Sequence, residues 1–253
     1  IIDSTTKSPF SRVKNTWADL TPETAHARGY IKGNQKLDQV YPILTRTTTP
    51  QTVYARQTLD RDDIVDITDF DVIPWAQANM KSKLIMELAR AVLVGDGRQV
   101  TDKDKIQETN IRPILTDDDV YTIKKTAATP ADLVATIIKA RVDYQGSGTP
   151  SLYINPAALA EVLLLKDTQG RYLFGDVPSV ESMAARFRVG SIVETTILPA
   201  DKALVVNLAD YTLGASKGGE ITSFDDFDID FNQYKYLIET RVSGALKNPK
   251  SAI

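Results

Sequence analysis

The sequence has no cysteine and a single histidine, His26, among its 253 residues. Without cysteine, disulfide frameworks, thiol nucleophiles and cysteine-ligated zinc sites are excluded, and one histidine cannot build a histidine zinc site. A Ser-His-acid triad would have to use His26, and no nucleophile motif accompanies it. We therefore predict no catalytic residue, metal site or cofactor, and we interpret His26 as a solvated or interface side chain.

The sequence also lacks a strong net charge and any long apolar run. Its formal charge is −3 and its pI is about 5.3, whereas proteins that bind nucleic acid along their length are usually basic. No run approaches the ~18 apolar residues needed to span a membrane, and the N-terminus shows no signal-peptide pattern. The chain starts at Ile1 rather than Met, which indicates either processing or a fragment.

What is present is the composition of a globular protein, 42% hydrophobic and 25% charged, long enough for a substantial core. The strongest helix signal covers residues 74–94, with Pro74 in the first turn after Asp69 or Asp71 and Gly95 as the stop. Its apolar positions recur every three or four residues. They are Met80, Leu84, Ile85, Leu88, Ala89 and Val92.

Two shorter helices begin with a capping residue followed by proline, at Thr129-Pro130 and Asn155-Pro156. The predicted apolar positions of the first are Leu133, Val134, Ile137, Ile138 and Val142, and those of the second are Leu159, Val162 and Leu163. Strands are predicted at 152–154, 191–197 and 203–208. This alternation indicates a compact mixed α/β unit from about residue 110 to 219.

The C-terminal part reads as a long β-ribbon. Apolar residues alternate from Phe227 to Phe231 and again from Tyr234 to Ile238. The phase changes at Asn232-Gln233, which predicts a turn or bulge there.

The first 57 residues contain little that could form a core. Residues 1–24 are polar and predict an extended arm, with a helical turn after Thr21-Pro22. Residues 44–54 are rich in β-branched and polar side chains on both faces, which predicts a hairpin too weak to stand alone.

Two short patterns suggest ligands but have simpler interpretations. Residues 59–71 contain six aspartates, which could bind calcium or magnesium; interleaved apolar residues instead favour a partly buried segment with a solvated acidic face. Gly95-Asp96-Gly97 has two of the three glycines of a dinucleotide loop and follows a helix rather than a strand. Neither pattern predicts a ligand site.

Four segments, in order, resemble the major capsid proteins of tailed bacteriophages, whose shell fold is of the Hong Kong 97 type. They are LDRDDIVDITDFD at 59–71, ELARAVLVGDGR at 87–98, LLLKDTQGRYLFGD at 163–176 and YLIETRVSGALKNPKSAI at 236–253. The resemblance implies an α+β capsid fold. Its parts would be an N-terminal arm (1–24), an extended β-hairpin loop (25–57), a peripheral domain with a long spine helix (58–109), a mixed α/β axial domain (110–219) and a ribbon returning to the peripheral domain (220–253).

As a function, the resemblance implies self-assembly as pentamers and hexamers into an icosahedral shell around double-stranded DNA, with no sequence-specific DNA binding. Its implied partners are further copies of itself, portal, scaffolding or protease components, and a decoration protein. Its location would be the virion capsid, assembled in the bacterial cytoplasm. The alternatives are an encapsulin shell, which holds protein cargo, and a soluble α/β enzyme unrelated to shells.

Some family members join subunits through a Lys–Asn isopeptide bond with a glutamate as the base. The resemblance places Asn232 and Glu239 at the asparagine and glutamate positions, and Lys32 and Lys36 are the lysine candidates. Such a bond requires a dry site in which a neutral amine can attack. An ion pair within Glu239-Thr240-Arg241 is the structural alternative.

Overall fold

The structure is a computed structural model that describes residues 2–8, 14–18, 32–33, 43–67, 71–175, 179–215 and 220–253. The expectations for His26, Lys36 and the turn after Thr21-Pro22 lie outside the described residues. Within them, the helices are α1 (Arg61–Asp66), α2 (Val72–Leu93), α3 (Pro130–Ala140), α4 (Pro156–Leu163) and α5 (Val180–Phe187). Two short 3-10 turns cover Ile2–Ser4 and Leu208–Asp210.

The larger sheet has five strands, and its centre is the long C-terminal strand. Its strands are β1 (Thr6–Ser8), β4 (Gln51–Asp60), β8 (Tyr211–Ala215), β9 (Thr222–Asp228) and β10 (Gln233–Leu246). β10 pairs antiparallel with β4 along one side, while β9 and then β8 pair with successive parts of its other side. β1 pairs parallel with β8.

Helix α2 packs on this sheet against β4 and β10. Its 22 residues make a rod about 33 Å long. Leu84, Leu88 and Val92 are buried as predicted, whereas Ile85 is exposed, because it lies beside the buried stripe rather than on it. The helix starts two residues earlier than predicted, with no side-chain cap from Asp71. It ends as predicted, where Gly95 takes a positive φ and donates to the Arg90 carbonyl.

A smaller sheet forms the second core, with β5 (Ser151–Ile154) between β6 (Ile192–Glu194) and β7 (Ala203–Val206). Both predicted helix starts are confirmed, since Thr129 caps α3 and Asn155 caps α4 through their side chains. Val142 was wrongly placed on the apolar face: α3 ends at Ala140, and Val142 is 84% exposed. The two outer strands are shorter than predicted, and α5 had no sequence prediction.

A separate two-stranded sheet pairs β2 (Lys14–Ala18) with β3 (Ile43–Thr47). One strand comes from the predicted arm and the other from the predicted loop.

A predicted turn is confirmed between β9 and β10, where Asn232 has a positive φ. Ile229 and Phe231 therefore lie in this turn and are exposed, not in a strand as their alternation suggested.

The C-terminal residues join the two cores. After β10, the chain passes beside Val120 and Tyr121, whose carbonyls accept from the N–H groups of Lys250 and Ser251. Ile253 then exchanges two backbone hydrogen bonds with Val205 of β7. Strand β8 lies in the larger sheet although its residues fall within the predicted 110–219 unit.

Candidate subunit interfaces

The base of the β2–β3 hairpin is fixed to the core by a buried ion pair. Arg46 of β3 donates to Asp117, and their side chains are only 6% and 1% exposed. The same guanidinium donates to the Leu246 carbonyl at 3.4 Å and lies 4.1 Å from the centre of the Tyr121 ring. Since residues 46 and 117 are 71 positions apart, no local sequence pattern indicated the pair.

A second contact holds the strand connection next to this pair. The Thr48 and Ser243 hydroxyls are 3.0 Å apart and both buried. β3 is therefore fixed near the C-terminal end of β10, and the hairpin leaves the core in a direction set by these contacts.

The described part of the acidic segment, residues 59–67, lies at one end of the larger sheet. Asp60 caps α1 by accepting from the Asp62 N–H at 3.0 Å. Asn232 of the β9–β10 turn donates to Asp62 at 3.2 Å, and its carbonyl accepts from the Arg61 N–H. The expected partial burial is wrong for Val65 and Ile67, both of which are exposed, and α1 contains no buried residue.

Two of the cross-link candidates, Asn232 and Glu239, are not brought together within one copy. Asn232 lies in the β9–β10 turn, whereas Glu239 is half-buried within β10, in register with Tyr54 and Thr222. They are seven positions apart along the chain, a distance of about 23 Å if the backbone is extended. Lys32 is exposed.

The alternative prediction for Glu239 was an ion pair with Arg241. Among the described residues no ion pair joins it to Arg241, and the Arg241 guanidinium lies 3.4 Å from the Thr52 hydroxyl.

Asp96, in the Gly95-Asp96-Gly97 stretch, is the centre of an ion-pair and hydrogen-bond network. No sequence pattern predicted this network. The buried Asp96 carboxylate accepts from the backbone N–H groups of Ile106 and Arg98, at 2.7 and 3.1 Å, and from the Lys105 ammonium at 3.2 Å. Burial alone would raise the pKa of Asp96, but these hydrogen bonds lower it below its ordinary range. The carboxylate thus takes up two backbone N–H donors of this region, those of Arg98 and Ile106.

The KDTQGR stretch forms the predicted turn after α4. The Asp167 carboxylate accepts from the backbone N–H groups of Gln169 and Arg171 and pairs with the Arg171 side chain. The hydrogen bond from the Arg171 backbone contributes most to lowering the pKa of Asp167. The result is a compact exposed turn at the edge of the smaller unit.

The described residues contain no cluster of three or more Asp, Glu or His side chains positioned to hold a metal ion. None of their helices is long and apolar enough to cross a membrane.

The fold is similar to that of solved capsid chains. A chain titled as the capsid of the native GTA particle superposes with a TM-score of 0.69 at 13% identity, over 99% of this chain and 87% of that one. A chain from Mycobacterium phage Bobi gives 0.69 at 15% identity, over 98% and 86%. These likenesses define the class, the tailed-phage capsid fold, and confirm the predicted fold class.

The family follows from the sequence itself. Residues 11–253 match the profile of the Phage capsid family, and the chain belongs to that family. The major capsid protein of Lactococcus phage c2 is 22% identical over 250 residues, which are 98% of this chain and 48% of that protein. The chain therefore spans about half the length of the curated relative it matches. The family consists of structural proteins, not enzymes.

Proposed function

We propose that copies of this chain assemble as pentamers and hexamers into an icosahedral shell that encloses viral double-stranded DNA. The observation that carries this proposal is the match of residues 11–253 to the Phage capsid family. The fold shared with solved capsid chains supports it. The proposed location is the virion capsid, with assembly in the cytoplasm of the host bacterium.

The hairpin supports an assembling protein because it lacks a core of its own. Among the described strands, β2 and β3 pair only with each other. A two-stranded hairpin is marginal in isolation, yet its base is held firmly by Arg46 and Thr48. A hairpin with a fixed base and no core of its own is suited to stabilisation by an adjacent subunit. We retain the arm, loop, peripheral, axial and ribbon assignments (1–24, 25–57, 58–109, 110–219 and 220–253) as part of the proposal.

The charge of the chain supports enclosure of DNA without sequence-specific binding. A net charge of −3 gives no general attraction to phosphate, and proteins that bind along DNA are usually basic. Besides further copies of itself, the proposed partners are a portal protein, scaffolding or protease components and a decoration protein.

A covalent cross-link remains a proposal with a restricted geometry. Because Asn232 and Glu239 are about 23 Å apart along β10, the glutamate would act on an asparagine of a different copy. Denaturing gels of assembled shells test this. A ladder of multiples above the 27.9 kDa monomer would support a bond from Lys32 or Lys36, and a monomer band alone would exclude it.

The function itself is tested by electron microscopy of the purified protein, with absorbance at 260 and 280 nm measured on the same chromatographic peak. We expect uniform icosahedral particles whose native form absorbs strongly at 260 nm. Particles filled with protein instead would indicate an encapsulin, and a discrete monomer or dimer under assembly conditions would overturn the shell proposal.

A further inference from the structure

Two arginine side chains flank one cavity at the C-terminal ends of helices α3 and α5. Arg141 is the residue that caps the end of α3, and Arg188 has the same place in α5. The two helices pack against each other, and the cavity has a volume of about 320 Å³. It is lined by two cations and two apolar side chains, and by no acid among the described residues. The lining residues are Ile138, Arg141, Val142 and Arg188.

Neither arginine has a counter-ion in the part of the chain that the structure describes. The Arg141 guanidinium instead lies over the Tyr144 ring, with Cζ 4.7 Å from the ring centre. Its nitrogen Nη1 is buried and has no hydrogen-bond partner within the described ranges. Since buried donors in folded proteins almost always have an acceptor, Arg141 is missing one.

The acidic residues in this part of the fold do not supply the missing acceptor. Asp210 lies beside Tyr144. Its carboxylate accepts from the Ser147 N–H and the Asn248 amide, both at 2.7 Å. Asp143 is exposed and does not line the cavity. Because both arginines follow helix C-termini, where a positive charge is favourable, the subunit tolerates the two charges without a carboxylate between them.

We propose that Arg141 and Arg188 form a binding site for a phosphate-type oxyanion. A guanidinium presents paired N–H donors that match the oxygens of a phosphate, and such charge-assisted hydrogen bonds are strong. A cavity of this size is comparable to small ligand pockets of about 300 Å³, so it accommodates a phosphate or pyrophosphate group. The bound oxyanion neutralises both charges and supplies the acceptor that Arg141 lacks. This inference goes beyond the proposed function and does not depend on shell assembly.

Thermal unfolding in the presence of pyrophosphate tests the site. The comparison is sodium chloride at the same ionic strength, because general screening of surface charges is then equal in both samples. A ligand that binds the folded state raises the Tm according to its concentration relative to the dissociation constant. At about tenfold above that constant, the Tm of the wild type should rise by about 3–6 °C.

Two variants remove one arginine each, and a third serves as the matched control. Arg141→Gln and Arg188→Asn should each lose most of the Tm shift. Asparagine tolerates the positive φ of 55° at position 188, so folding is retained, and circular dichroism checks this for every protein. The control is Lys139→Gln, which removes an exposed positive charge from the same end of α3 without touching the cavity. It should keep the full shift.

A second measurement distinguishes a free phosphate compound from the backbone of nucleic acid as the source of the oxyanion. Fluorescence anisotropy follows a labelled DNA duplex added to unassembled protein. Duplex binding that pyrophosphate displaces, and that Arg188→Asn weakens by about 10-fold, identifies the nucleic-acid backbone. A Tm shift without such duplex binding identifies a free phosphate compound.

Two results would overturn the site. One is a wild-type Tm that is no higher in pyrophosphate than in sodium chloride. The other is a Tm shift that the arginine variants retain, or that Lys139→Gln loses to the same extent, since either would show a general effect of charge. Shell assembly is measured separately by electron microscopy, so both results leave the proposed function standing.

Discussion

The buried Arg46–Asp117 pair offers the sharpest test of how the hairpin is held. Both side chains are almost fully buried. Asp117 also accepts from the Asp118 N–H at 2.9 Å, and Arg46 lies over the Tyr121 ring. The perturbation is Asp117→Ala, which leaves the arginine charge buried without its counter-ion.

The expected loss is large because the remaining charge cannot reach water. Removing one partner of a buried pair destabilises a protein by about 3–5 kcal/mol. For a chain of this size each kcal/mol lowers the Tm by about 2–4 °C, so the Tm of Asp117→Ala should fall by about 6–20 °C. Replacing both partners, Arg46→Met with Asp117→Leu, should restore most of the stability, since a well-packed apolar pair often substitutes for a buried ion pair.

The assay is thermal unfolding followed by circular dichroism, with every variant in the same assembly state. The matched control is Asp201→Ala, which removes an exposed ion pair with Lys202 and should cost no more than about 1 kcal/mol. If Asp117→Ala lowers the Tm no more than this control does, the pair does not hold the hairpin base and the reasoning is refuted.

Three further predictions concern single substitutions. Asp96→Asn should lower the Tm at neutral pH and flatten the acid dependence of the Tm below about pH 4. The pKa of Asp96 in the folded protein lies below its ordinary 3.8, so the stabilisation by its carboxylate is complete above that value and is lost as the pH falls through the lowered pKa. An unchanged acid profile would contradict this. Gly244→Ala places a methyl group 2.7 Å from Cε1 of the fully buried Tyr211 ring and should cost about 1–3 kcal/mol in urea unfolding; a neutral result would mean that the ring can move. Asn155→Ala removes the cap on the Ala157 N–H and should cost about 1 kcal/mol by the same assay, with Asn155→Ser as the conservative control.

Sequence reasoning worked where the signal was local. Caps and prolines placed the starts of α3 and α4, Gly95 placed the end of α2, and the phase change at Asn232 placed the β9–β10 turn. These features depend on residues within a few positions of one another. Ile85 was named among the apolar positions of the helix but is exposed. Periodicity places an apolar stripe on a helix and does not give the width of that stripe.

The contacts that matter most for the candidate interfaces are not local. Arg46 meets Asp117 across 71 positions, and Thr48 meets Ser243 across 195. A charged residue in a β-branched stretch normally predicts a solvated side chain, because burying a charge is costly unless it is paired. Only the fold shows that Asp117 is there to pair with it. Similarly, the exposure of Phe231 follows from the turn, not from its apolar neighbours.

The two ends of β10 have different roles in a subunit that assembles. At one end, buried contacts from Arg46 and Thr48 fix the direction in which the hairpin leaves the core. At the other, the β9–β10 turn leaves Ile229 and Phe231 exposed. Substitutions at the first end should therefore change the Tm of the subunit and its assembly together. Substitutions of exposed charged residues in the β9–β10 turn should change assembly and its salt dependence while leaving the Tm of the subunit in place, because exposed charges act mainly on association.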